Sequence, residues 1–164
     1  METRRSFRCW FDGFQVHDIL NNVVNALDRY EELKFIWSET SFLEKWWSRA
    51  NVTNRDRLRR LIDEKRLEIT GGAWVMNDEA VPYLWSVIDN MIVGQQFLQK
   101  QLNVTPRTSW SVDPFGHSSM MPYLLSLSGI NNMVIGRISA VLKETMRRMH
   151  RLHFKWIQPW DIVT

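Results

Sequence analysis

Apolar positions along this chain change period from segment to segment. In "HDILNNVVNALDRY" (17–30), Leu20, Val23, Val24, Leu27 and Tyr30 fall on one stripe at helical spacing, which predicts an amphipathic helix. "KFIWSE" (34–39) is instead a short apolar, aromatic run of strand length. Ser41 with Glu44 three residues later predicts a capping box opening a helix that carries "FLEKWW". Thr53 with Asp56 predicts a second one, with Leu58, Leu61 and Ile62 on the buried side. "RLEIT" (66–70) reads as another strand, stopped by Gly71-Gly72. A long helix is predicted from Ala80 to Leu102, with Leu84, Trp85, Ile88, Met91, Ile92 and Leu98 as its apolar face. "RTSWSVD" (107–113) and "NMVIGR" (132–137) are strand-like and flank a helix in "MMPYLLSLSG" whose C′ residue is Gly129. A basic helix and a fifth strand, "LHFKWI" (152–157), complete the pattern.

Short strands alternating with helices, with no tight hairpin turn between strands, predict an α/β fold with a mainly parallel sheet covered by helices. At 164 residues, without a repeat or a Pro/Ser-rich linker, one domain accommodates the pattern. A composition 45% hydrophobic and 24% charged places it among globular chains and not disordered ones. The net charge of +3 comes with two basic clusters, Arg55 to Arg60 and Lys143 to Arg151. On a helix, Lys143, Arg147 and Arg151 share one face, so a solvated surface is expected and no nucleic-acid partner. Cys9 is the single cysteine, which excludes an internal disulfide. "METRRSFRCWF" lacks the apolar core of a signal peptide and no run approaches membrane-spanning length, so no leader or membrane segment is expected in this chain. The sequons Asn51-Val-Thr53 and Asn103-Val-Thr105 matter only in a secretory setting.

Candidate chemistry gathers where the strands end. In parallel α/β folds, sites form at the carboxyl ends of the strands. Those positions hold Glu39, then Asp78 and Glu79, then Asp113, then Arg137, with Asp161 beyond the fifth strand. Asp113 stands out because Pro114 fixes φ and Gly116 permits a tight turn, which together would hold its carboxylate at a defined place. Such a group can serve as nucleophile, base or metal ligand; alternatively it caps the turn that follows. His117 is close enough in sequence to join Asp113 at a metal, or to cap a helix. His150 and His153 form a His-x-x-His pair split between a helix and a strand, a weak metal signal. The nine tryptophans could stack on sugars but mostly occupy core positions. "TGGAWVMN" lacks the Gly-Lys-Ser/Thr of a phosphate loop.

Four segments carry a family resemblance. "FIWSETSFLEKWW", "LEITGGAWVMNDEA", "TPRTSWSVDPFGHSSMMPYLLSLSGI" and "MVIGR", in this order and spacing, resemble the N-terminal catalytic domain of class II α-mannosidases, glycoside hydrolase family 38. The likeness runs from about Asp18 to Trp160. It divides the chain into a diverged or truncated N-terminal segment, 1–17, and a partial catalytic domain, 18–164. The fold it implies is a partial parallel β/α barrel of about five strands alternating with helices, incomplete at both ends.

The activity it implies is retaining hydrolysis of α-linked mannose in N-glycans. By resemblance, Asp113 in Asp-Pro-Phe-Gly-His matches an aspartate that is both nucleophile and zinc ligand. Phe115 matches an aromatic of the sugar pocket, and Arg137 an arginine near the nucleophile. The implied cofactor is Zn2+, the partner a mannose-containing N-glycan, and the compartment the Golgi, with the lysosome as alternative. "ETSFLEKWW" (39–47) is closer to the Golgi branch, whereas "MNDE" (76–79) also occurs on the lysosomal side. The family's His-x-His-Asn-Asp-Pro-Gly-Trp strand, source of two zinc ligands, has no counterpart in "METRRSFRCWFDGF". Its fourth ligand and its acid/base aspartate are expected beyond Thr164. The readings that follow are an α-mannosidase fragment or a catalytically inactive, truncated or glycan-binding remnant. A metal-dependent carbohydrate deacetylase on a similar barrel is a third.

Overall fold

The computed structural model describes residues 14–80 and 83–158. Helix α1 (Phe14–Arg29) leads to strand β1 (Phe35–Trp37), then α2 (Thr40–Arg49), α3 (Val52–Asp63) and β2 (Leu67–Ile69). Helix α4 (Leu84–Leu102), β3 (Thr108–Ser111), α5 (Met120–Leu127), β4 (Asn132–Ile135) and α6 (Ala140–Arg148) follow. The strands form two parallel pairs, β1 with β2 (Phe35 opposite Leu67) and β3 with β4 (Thr108 opposite Asn132). The Gly71 N–H, just past β2, donates to the Thr108 carbonyl at 2.8 Å, which sets the two pairs side by side. The expected α/β class with parallel strands therefore stands.

The fifth strand does not form. Residues 152–157 are coil, exposed at all but Trp156. A strand exists only through its ladder, and among the described residues β4 pairs with β3 alone.

One core lies between α1, α2, α3, β2 and the end of α4, built on Leu20, Val24, Leu43, Trp46, Leu58, Leu61 and Leu98. Trp46 is 1% exposed, and its indole N–H donates to Asn21 Oδ1 at 2.9 Å, so the polar atom of a buried ring is satisfied. A second cluster joins Val87 and Met91 of α4 to Met121, Leu125 and Ile130 around α5. The end of α5 follows its sequence signal: Gly129 sits at φ +79, and Ile130 N–H returns to the Leu125 carbonyl at 2.9 Å.

Helix starts depart from the sequence reading. Helix α2 begins at Thr40, not Ser41, directly after Glu39 at φ 66 and ψ 91, and no side chain caps it. At α3 the cap is Asn51, whose side chain accepts the Asn54 N–H at 2.8 Å, not Thr53. Helix α4 starts at Leu84 and buries Val87, Met91, Gly94 and Leu98, leaving Trp85 and Ile92 exposed. Its packed face runs through Gly94, where a Cβ would stand 2.3 Å from the Gly72 carbonyl oxygen. Backbone packing thus rotates the helix away from its most hydrophobic stripe.

The basic clusters are engaged within the chain. Arg57 and Arg60 bind Asp28 of α1, while the Arg55 and Arg59 guanidinium groups lie 5.3 and 4.8 Å from the Trp47 ring centre. On α6, Arg147 and Arg148 clasp Glu144, and Lys143 donates to the Gly136 carbonyl. Arg151 lies past the end of α6 and does not continue the face of Lys143 and Arg147.

Candidate active site

The carboxyl ends of β3 and β4 bring together the three residues singled out in sequence. Asp113 follows β3, Arg137 follows β4, and the parallel register sets Ser111 opposite Ile135, two residues before each. Close approach of these ends requires Gly136, since a Cβ there would stand 2.6 Å from the Val112 carbonyl oxygen. Arg137 Nη2 donates to Asp113 Oδ1 at 2.5 Å, and the same guanidinium lies 4.4 Å from the Phe115 ring centre. The Asp113 side chain is 71% exposed. Asp113 is thus not a turn cap; it projects from the rim against one cation. An ion pair this open adds at most about 1 kcal/mol to stability, so its effect is orientation.

The other rim carboxylates do different work. Glu39 Oε1 accepts the Met76 N–H at 3.2 Å, and its positive-φ backbone, following Ser38, turns β1 into α2 within two residues. Asp78 closes a local turn by accepting the Ala80 N–H at 2.8 Å. Glu79 is buried and accepts from Ser111 Oγ at 2.5 Å and from the Ser118 N–H at 2.6 Å, with His117 Nδ1 at 3.4 Å. His117 is therefore drawn to Glu79 and not to Asp113. Asp161 lies outside the described residues. His150 lies two residues past α6, at φ 52, and His153 is exposed in coil, so the pair shares no element.

A cleft of about 420 Å³ opens beside β1, lined in part by Phe35, Trp37, Glu39, Met76 and Trp110. The roles of Ser111, Ser118 and Glu79 gave no sequence signal, because the bonds join residues 32 and 39 positions apart.

Residues 12–163 match the sequence model of the Glycosyl hydrolases family 38 N-terminal domain. The chain belongs to this family. Among family 38 relatives, it is 40% identical over 156 residues to α-mannosidase 2 of Spodoptera frugiperda, covering 95% of this chain and 14% of that protein. It is 42% identical over 144 residues to α-mannosidase 2 of Homo sapiens, covering 88% of this chain and 13% of that protein. The chain therefore spans about one-seventh of the curated relatives it matches. A solved α-mannosidase from Enterococcus faecalis V583 superposes with a TM-score of 0.64 at 18% identity, over 74% of this chain and 14% of that one. A 4-α-glucanotransferase from Thermococcus litoralis superposes at 0.58 with 16% identity, over 73% and 20%. These two show likeness of fold.

A zinc centre takes three or four protein ligands. Among the described residues no group of three His, Cys, Asp or Glu side chains could hold a metal, and Asp113 faces a guanidinium. The described residues alone do not fit zinc.

Proposed function

We propose that this chain forms the nucleophile-bearing rim of a retaining α-mannosidase acting on mannose-containing N-glycans. The observation supporting this most directly is the exposed Asp113 carboxylate, oriented at 2.5 Å by Arg137 beside the Phe115 ring. In the first step an Asp113 oxygen bonds to the anomeric carbon as the bond to the leaving oxygen breaks. A second carboxyl, about 5 Å away in retaining enzymes, protonates that oxygen and then takes a proton from the water that releases mannose. Arg137 keeps the nucleophile aimed, and Phe115 offers a ring face to the apolar side of the sugar. The matched relatives extend far beyond this region, and we assign the second carboxyl to that length. No step here runs through zinc; Asp113 is the one ligand this rim would contribute, with the others from outside the described residues.

The partial β/α barrel, and the division into a diverged segment 1–17 and a catalytic portion 18–164, belong to the same proposal. We extend the proposal to residence in the Golgi with N-glycan processing, on the closeness of "ETSFLEKWW" (39–47) to that branch of the family. No described helix is long and apolar enough to cross a membrane.

The test is covalent trapping of the full chain with a fluorinated mannosyl fluoride, followed by peptide mass spectrometry. A mannosyl adduct on Asp113, absent in Asp113→Asn, is expected; an adduct on another carboxylate overturns the assignment. A glycan-binding remnant is the second reading, favoured by the guanidinium that occupies the cation position at Asp113. Calorimetric titration that gives heat with an oligomannoside and no trapping would select it.

A further inference from the structure

The turn that carries Asp113 and Phe115 has little packing of its own. Phe115 is 75% exposed, and around Gly116, at φ +109, nothing lies within 4 Å of where a Cβ would stand. Pro114 is buried, Arg137 holds Asp113 and Phe115 on the rim side, and the remaining anchorage comes from behind. The Glu79 side chain is 1% exposed and reaches both flanks of the turn. Ser111 Oγ, at the end of β3, donates to Glu79 Oε1 at 2.5 Å; the Ser118 N–H, beyond the turn, donates to Oε2 at 2.6 Å.

A buried carboxylate is costly to fold around, and an apolar side chain of similar volume commonly serves stability as well. Nor does Glu79 cap α5. The Met120 N–H is taken by Ser118 Oγ at 3.2 Å, and Glu79 binds Ser118, two residues before the helix starts. Its two oxygens therefore act on the segment between Ser111 and Ser118.

We propose that Glu79 is the positioning residue for the nucleophile: its carboxylate bridges Ser111 and Ser118 and so fixes where Asp113 and Phe115 stand on the rim. The bridge stands on its own geometry; its consequence for turnover rests on the mannosidase reading.

The seven glycines allow a selective test, because 15N-glycine labelling isolates Gly116 from a small set of signals. In Glu79→Gln, and in Ser111→Ala, which keeps the carboxylate, the Gly116 order parameter should fall from about 0.85 to below about 0.6. Gly94 and Gly136 should stay rigid. Trapping of mannose on Asp113 by the fluorinated mannosyl fluoride, whose leaving group needs no protonation, should slow about 100-fold in Glu79→Gln, as expected for a misplaced reacting group. Gly116 unchanged in both variants overturns the proposal, as does slower trapping without loosening of Gly116. Loosening of Gly116 in a chain whose wild type traps no mannoside upholds the bridge and refutes the mannosidase reading instead.

Discussion

Replacing Gly94 by alanine separates two opposite expectations. Helix propensity alone makes the variant more stable, by about 1 kcal/mol, because Gly94 lies inside α4. The packing reverses the sign. A Cβ would stand 2.3 Å from the Gly72 carbonyl oxygen, 2.5 Å from the Ala73 carbonyl carbon and 2.6 Å from the Trp74 nitrogen. All three are backbone atoms with no rotamer to yield, so α4 must back away from the loop that follows β2. Overpacking of this kind costs about 3 kcal/mol at the upper end of its usual range. Less the gain in propensity, Gly94→Ala should lose about 2 kcal/mol. For a domain of this length that lowers Tm by about 6 °C. Urea unfolding followed by tryptophan fluorescence reads the change as a lower midpoint with unchanged slope. A variant as stable as the parent, or more so, would show that α4 does not press on Gly72 to Trp74, and the rotated helix face would be wrong.

Leu58→Ala, at a site 0% exposed, should lose about 3 kcal/mol in the same assay. Asn51→Ala should lose about 1 kcal/mol through the missing cap bond to Asn54, and Asn51→Ser should recover most of it. Arg137→Met should leave stability within about 1 kcal/mol while abolishing trapping of mannose on Asp113, separating orientation from folding. Arg147, then Arg148, hold the Glu144 carboxyl below its usual range. The contribution of that group to α6 is present above the unfolded carboxylate pKa and lost as pH falls through the lower folded value. A carbon-detected NMR titration should place the Glu144 midpoint below an ordinary glutamate, and Arg147→Ala should raise it.

The elements legible in the sequence were those whose signals are local. Leu20, Val24 and Leu27 lie on the stripe that α1 buries, and Gly129 closes α5 where a helix-ending glycine was expected. The trio Asp113, Phe115 and Arg137 was found through a motif and a family resemblance, and the rim brings them together. Signals fail where the deciding partner is distant. The face of α4 depends on a carbonyl at Gly72 that no periodicity in α4 can reveal. The short apolar run of strand length at 34–39 does form β1, yet its composition says nothing of burial: Phe35 and Ile36 are exposed, because burial is a property of neighbours and not of the run. "LHFKWI" has strand composition but no strand partner among the described residues. Glu79 was noted only as one of several rim carboxylates; burial and two serines separate it from Asp78, its neighbour in sequence.

The two-residue passage from β1 to α2 couples the interior to the surface. Ser38 leaves the strand, Thr40 opens the helix, and Glu39 between them takes a backbone conformation that few non-glycine residues adopt. No slack separates the two elements. Helix α2 is seated by Leu43 and Trp46, both essentially inaccessible, so a small shift of these anchors must swing the Glu39 side chain and the Met76 amide it holds. Conservative changes at Leu43 or Trp46 should therefore register at the mouth of the sheet well before global unfolding begins, like a lever whose short arm is the hydrophobic interior.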